Sequence, residues 1–501
     1  MKLLRSTRWH TEWAPNGIPR ELLAGAVATF ALIPEVIAFS FVAGVAPSVG
    51  LFASFVISVV IAFFGGRPAM VSAAAGSVAL VAAPLMQSHG LGYLLAAGLL
   101  AGLVQVLFGW LKLGVLMRFV SSSVRTGFVN ALAVLIFAAQ WPHLGGANTA
   151  TLAMLALGLL LIYGLPRLAA WLGWRALTLI PPPLVCVLLL TGLSSTLGLP
   201  SATVADLGQL PESLPFFALP QVPWDWQTLR IIALPALAIA FVGLLESVLT
   251  AAVVDELTDT PSNKNRECTG LGLANIAASC FGGIAGCGMI GQAVGNVKYG
   301  GRGRLSTLFA GVFLLILMVL LKPWVSQVPV IALVAIMVMV SVETFDWKSL
   351  GALLHHPRLS SAVMLATVVV TIGTHNLAAG VAVGVLLSGV FFAFKVSRML
   401  QVQCSDDAAT GTRTWLVTGQ VFFASADAFI EAFDIRGAQQ RPVYIDVSRA
   451  HFWDITALAA LDKVVERLRH HGSSVEVRGL HQAGAVLIDM PRPERPDVLP
   501  K

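Results

Sequence analysis

The chain has 501 residues, 56% of them hydrophobic and only 12% charged, with a formal net charge of +6. Soluble domains carry about 25% charged residues, so this composition excludes a soluble globular enzyme and marks an integral membrane protein. The basic residues fall between apolar segments, a placement that excludes a nucleic-acid surface and instead fits membrane orientation and contact with a lipid bilayer.

In chain order, residues 1–20 form a charged N-terminal segment with no apolar core behind its charges, so no cleavable signal is expected. Residues 21–400 are expected to be the transmembrane domain. Apolar spans read near 22–40, 50–64, 72–86, 91–111, 123–139, 151–171, 179–196, 231–254, 268–282, 286–297, 305–321, 328–342, 360–375 and 378–396, about fourteen in all. Lys and Arg set the orientation. Lys2, Arg5, Arg8 and Arg20 share a side with Arg67, Lys112, Arg118, Arg167, Arg175, Lys264, Arg266, Lys298, Arg302, Arg304, Lys348, Arg358, Lys395 and Arg398. The opposite side holds a long loop with Asp206, Glu212 and Asp225. Both ends are therefore expected in the cytoplasm, with the chain multi-pass in a cell (inner) membrane.

Two spans are short and broken. The third, Ala73–Leu85, opens on Gly76 and Ser77; the tenth, Gly282–Val297, has glycines at 282, 283, 286, 288, 291 and 295. Paired interrupted segments in corresponding places of two halves point to a transporter binding site. Their separation of seven spans suits two seven-segment repeats, the second inverted. Half-helix N-termini leave backbone N–H groups free for an anion, here those of Gly76, Ser77 and Val78 and of Gly288, Met289 and Ile290.

Glu246 is the sole ionisable residue of the apolar run Ile231–Val254. A charge near the bilayer midplane costs about 2.5–3.5 kcal/mol, so intramembrane carboxylates usually serve ion or substrate handling. Thr250 follows one turn on, on the same face. Glu35 follows Pro34, read as a helix breaker, and is a candidate to line the cavity. Asp255, Glu256 and Asp259 read as a solvated loop, and His143, His355, His356 and His375 show no metal spacing. No metal or cofactor is expected. After Arg398 charged residues become common, and residues 401–501 read as a small α/β domain with strands over TWLVTGQVFFAS, RPVYIDVS and SVEVRGL and a helix over ALAALDKVVERLRHH.

The segments AGAVATFALIPEVIAFSFVAGVAPSVGLFAS (24–54), VDELTDTPSNKNRECTGLGLANIAAS (254–279) and GGIAGCGMIGQAVGNVKYGGRGRLS (282–306) resemble the SulP anion transporters, the sulfate-permease-like group. VYIDVSRAHFWDITALAAL (443–461) is similar to that family's STAS domain. The resemblance implies fourteen segments in two inverted repeats, with a core of spans 1–4 and 8–11 moving against a gate, and a homodimer. It places the ion-coupling position on Glu246 with Thr250, as in bicarbonate-transporting relatives that bind sodium there. It places the pocket aromatic on Phe39. Three departures stand out: Pro34-Glu35 where Pro-Gln is frequent, Gly76-Ser77 where Gly-Pro is frequent, and Gly291-Gln292 where animal members carry Ser-Arg. Gln292 is thus a candidate polar ligand without charge. In the STAS loop, Ile455 takes the phosphoacceptor position of anti-sigma antagonists, which argues against a phosphoswitch, and Thr456 is expected to cap the next helix.

The expected function is proton-coupled symport of a small anion, a carboxylate or dicarboxylate (or sulfate), by alternating access. Sodium-coupled bicarbonate transport is the alternative with Na+ in place of H+. A channel-like conductor or sensor with a STAS signalling module is the alternative of another class.

Overall fold

The computed structural model describes residues 12–114, 120–144, 148–173, 182–198, 202–207, 216–320, 322–355, 358–374, 376–407, 411–438 and 440–479. Lys2, Arg5, Arg8, Arg118, Arg175, Glu212, His356 and His375, on which part of the orientation and histidine readings rests, lie outside them. The chain divides into two units, Met1–Val385 and Leu386–Lys501, with the boundary inside a helix.

The first unit is helical, and six described helices are long and apolar enough to cross a membrane. Helix α1 is Ile18–Ala43 and runs continuously through Pro34, so this proline does not break it. It ends at Gly44, whose φ of 74° lets Gly44 and Val45 donate back to Phe41 and Ser40. Helix α2 is Pro47–Phe64, and a two-residue strand β1 follows at Ser72–Ala73. Helix α3, Gly76–Trp110, contains a break at Gly90, where φ is 79° and ψ −176°. The third and fourth expected spans are its two arms.

Helices α4 (Ser122–Ala138), α5 (Thr149–Leu172) and α6 (Pro182–Leu197) lead to α7 (Trp226–Thr258) and α8 (Lys264–Cys280). Strand β2 (Cys287–Gly288), α9 (Ile290–Lys298) and α10 (Arg304–Leu320) come next, then α11 (Val330–Thr344), α12 (Trp347–His355), α13 (Arg358–Thr374) and α14 (Leu377–Ser397). Helices α1–α3 and α7–α10 pack on one another, while α4, α5, α6, α11 and α13 form a second cluster. This division matches the expected core and gate. Small residues allow close crossing: a Cβ on Gly102 of α3 would lie 2.7 Å from the carbonyl of Gly272 of α8.

The second unit is a four-stranded sheet, β3 (Gln401–Asp406), β4 (Arg413–Val421), β5 (Pro442–Phe452) and β6 (Ser474–Arg478), in that spatial order. β3 is antiparallel to β4, and the other pairs are parallel. β3 was not expected from the sequence. Helix α15 (Ala426–Glu431) precedes β5, and helix α16 (Ile455–His470) turns Ala457, Leu461, Val464 and Leu468 into a core with Trp415, Phe429 and Val447. The α16 cap is Asp454 rather than Thr456. Asp454 Oδ1 accepts from Ala457 N–H at 2.8 Å and Oδ2 from Phe423 N–H at 2.8 Å. A carboxylate placed before the first turn meets both the free N–H groups and the helix dipole, which a hydroxyl one residue inside the helix does not. Asp454→Ala is expected to cost this unit about 1 kcal/mol in denaturant unfolding.

Candidate functional site

Strands β1 and β2 pair antiparallel, Ser72 opposite Gly288 and Ala73 opposite Cys287. Each chain segment enters its half-helix within three residues of this pairing, so the N-termini of α3 and α9 start from one shared point. Gly286 permits the approach, because a Cβ there would overlap the Ala73 carbonyl. Neither half-helix has a side-chain cap. Among the described residues no group accepts from the N–H groups of Gly76, Ser77 and Val78, or from those of Ile290, Gly291 and Gln292. Six donors with two converging positive dipole ends remain for an anion.

The outer members of the expected set differ from that reading. Gly288 N–H donates to Ser247 Oγ at 2.8 Å, and Met289 N–H donates to Val71 O at 2.9 Å. The first ties β2 to α7 and the second ties it to the segment before β1, so neither is free for substrate; the free donors lie two residues further on, at Ile290, Gly291 and Gln292 in the first turn of α9. A Cβ on Gly291 would meet nothing within 4 Å, so this face of α9 borders open space. Phe39 is buried with its ring against Gly76, where a Cβ would lie 2.7 Å from Cε1. It therefore lies at the N-terminus of α3, beside the free donors.

Glu246, near the middle of α7, reaches the same point. Its Oε2 accepts from Ser77 Oγ and, at 2.9 Å, from the thiol of Cys287. One donor lies in the first turn of α3, and the other lies in β2, three residues before α9. Thr250 Oγ1 donates to Glu246 O at 2.8 Å and Gly288 O at 3.2 Å. The Thr250 hydroxyl hydrogen is thus committed to backbone, away from the Glu246 carboxylate. Glu35 and Gln292 also come together: the Gln292 side chain lies beside the Glu35 carboxyl, with Glu343 as a further acidic neighbour. Gln292 is buried and joins α9 to α1. Helix α9 carries no cation in its first two turns, Lys298 being its last residue.

Sequence reasoning missed Ser247 and Cys287. Cys287 reads as a small packing residue; only the β1–β2 pairing turns its thiol to Glu246. Asp255 also departs from the solvated loop expected for it. It pairs with the buried Arg67 at 3.1 Å and with Lys264 at 2.7 Å, closing the end of α7 against the segment before β1. Among the described residues no cluster of His, Cys, Asp and Glu is suited to hold a metal ion.

Residues 18–367 match the sulfate permease family, and residues 409–490 match the STAS domain. The chain is 48% identical to the putative sulfate transporter YbaR of Bacillus subtilis over 95% of this chain and 97% of that one. It is 25% identical to the bicarbonate transporter BicA of Synechocystis over 92% and 88%. The murine solute carrier 26 family member A9 anion transporter, in an inward-facing state, shares the fold, with a TM-score of 0.80 at 18% identity over 94% of this chain and 88% of that one. The chain belongs to the sulfate permease family, whose members are membrane anion transporters and not enzymes.

Proposed function

We propose that this protein moves a small anion, a carboxylate or dicarboxylate (or sulfate), by proton-coupled symport. The anion binds between the first turns of α3 and α9, and Glu246 carries the proton. One observation supports this most: Glu246 meets donors from both half-helix entries, so its charge and the geometry of the anion site are coupled. When Glu246 is charged it accepts from Ser77 and Cys287. When protonated it presents a neutral site that crosses a closed gate at lower desolvation cost.

Uptake of an anion works against an interior-negative potential at about 2.3 kcal/mol per charge per 100 mV. A cotransported proton offsets that cost. A tetrahedral dianion is commonly clamped by Arg, and the first turn of α9 offers only the uncharged Gln292, which faces Glu35; this favours a carboxylate over sulfate. The division into an α1–α3 and α7–α10 cluster and a second cluster supports alternating access, in which one moves against the other. The same reading places both chain ends in the cytoplasm, the protein in a cell (inner) membrane, and two copies in a homodimer.

The test is a radiolabelled-anion panel in proteoliposomes with imposed proton or sodium gradients. Accumulation driven by the proton gradient alone is the expected result. Stimulation by sodium at fixed pH would replace the proton reading with the sodium-coupled one, which the bicarbonate-transporting relative makes the second choice. Thr250→Val gives a further separation. Removing one hydroxyl that bonds backbone is expected to slow proton-driven uptake by less than about tenfold. A sodium site using that oxygen would lose its cation dependence altogether.

A further inference from the structure

Asn275, on α8, is completely buried and makes no contact with the anion donors, yet its amide grips the backbone that leads into the second half-helix. Gly286 N–H donates to Asn275 Oδ1 at 2.9 Å, and Asn275 Nδ2 donates to Gly286 O at 3.1 Å. One side chain thus satisfies both backbone groups of the residue before Cys287. The pairing also fixes which end of the amide is which, because Oδ1 must accept and Nδ2 must donate.

The second Nδ2 hydrogen goes to Gln105 Oε1 at 2.8 Å. Gln105, also fully buried, then donates through Nε2 to Ala240 O at 3.3 Å. Ala240 lies on α7, the helix that carries Glu246. The chain of bonds therefore runs from α7 through α3 and α8 to the strand β2 entry. Its ends lie at Ala240, on the helix that carries Glu246, and at Gly286, the residue before Cys287. Gly243, one turn before Glu246, leaves room for the amide, since a Cβ there would lie 3.0 Å from Gln105 Nε2.

We infer that Asn275 and Gln105 are positioning residues of the transport site: their paired amides hold β2 and α9 in register with α7, so that the Cys287 thiol stays on Glu246. Apolar packing could fill the same volume, but it would not fix the register of a two-residue strand that, among the described residues, pairs with one other two-residue strand. A buried amide pair specifies one arrangement, because any slip leaves several polar groups without partners. In its effect on transport this inference rests on the proton-coupling reading; in its effect on Cys287 it does not.

The test uses the full-length protein in proteoliposomes, with Asn275→Ala, Gln105→Ala and the volume-preserving Gln105→Met. The first readout is modification of Cys287 by a small thiol reagent, followed at peptide level by mass spectrometry. Loss of a buried hydrogen bond is expected to raise the Cys287 rate by roughly fivefold to a hundredfold in each variant, with Cys268 unchanged. The second readout is the pH profile of uptake. Each variant is expected to move that profile, and Asn275→Ala added to Glu246→Gln is expected to change it no further.

Unchanged Cys287 labelling in Gln105→Met and Asn275→Ala would overturn the inference. So would an equal rise at Cys268 and Cys287, which denotes general loosening rather than lost register. If wild-type uptake has no pH dependence while Cys287 alone becomes reactive, the proton reading fails and the positioning role stands.

Discussion

Glu246→Gln is expected to abolish proton-driven accumulation while leaving exchange of labelled for unlabelled anion across the same vesicles. The amide keeps the volume of the carboxyl, and its oxygen still accepts from Ser77 and Cys287. It cannot take up or release a proton. At about 100 mV one cotransported proton is worth about 2.3 kcal/mol, so accumulation is expected to fall roughly fiftyfold per proton lost. Exchange requires no net charge movement and tests whether the anion site survives. Accumulation that persists in Glu246→Gln, with its pH dependence intact, would remove this residue from coupling.

The largest stability effect is expected at a residue outside the site. Glu267 of α8 is completely buried, and its Oε2 accepts from Gly66 N–H at 2.7 Å and Arg67 N–H at 3.0 Å. The Arg304 guanidinium is a charged neighbour, 4% exposed, and donates to Ala62 O at 3.0 Å and Gly65 O at 2.8 Å. Together they tie the end of α2 and the segment before β1 to α8 and α10. Glu267→Ala leaves the Gly66 and Arg67 N–H groups without their acceptor and removes a negative charge near Arg304. Arg304 keeps its bonds to Ala62 O and Gly65 O and its pairing with Glu12 at 3.7 Å. Leaving a buried donor without its acceptor costs about 1–3 kcal/mol, to be read as a lower midpoint of thermal denaturation in detergent. Glu256→Ala, at an exposed position on α7, serves as the comparison and is expected to stay within about 0.5 kcal/mol of wild type. Equal shifts in the two variants would show that the Glu267 network contributes nothing particular.

Much of the site was legible because its signals are local. A carboxylate inside two dozen apolar residues is visible as a transfer cost, and glycine-rich breaks are visible as failed helix propensity. Those two signals located Glu246, Gly76 and α9 without any contact information. The same approach misjudged Pro34, because a single proline removes one hydrogen bond that the packing of α1 tolerates. It also misjudged Gly288 and Met289, whose N–H groups look free in a helix-start pattern but are taken by Ser247 and Val71.

By itself the sequence determined that the protein is a multi-pass membrane protein with an α/β tail, a lone carboxylate in an apolar helix and two half-helices. Those properties follow from composition and periodicity, which each segment carries alone. Only the tertiary structure decided what meets what. Ser77 and Glu246 are 169 residues apart, and Asn275 and Gln105 are 170 apart. No periodicity encodes such pairs. They form because α3, α7 and α8 cross at glycines, and because in a buried, low-dielectric interior each polar group must find a partner wherever the crossing places it.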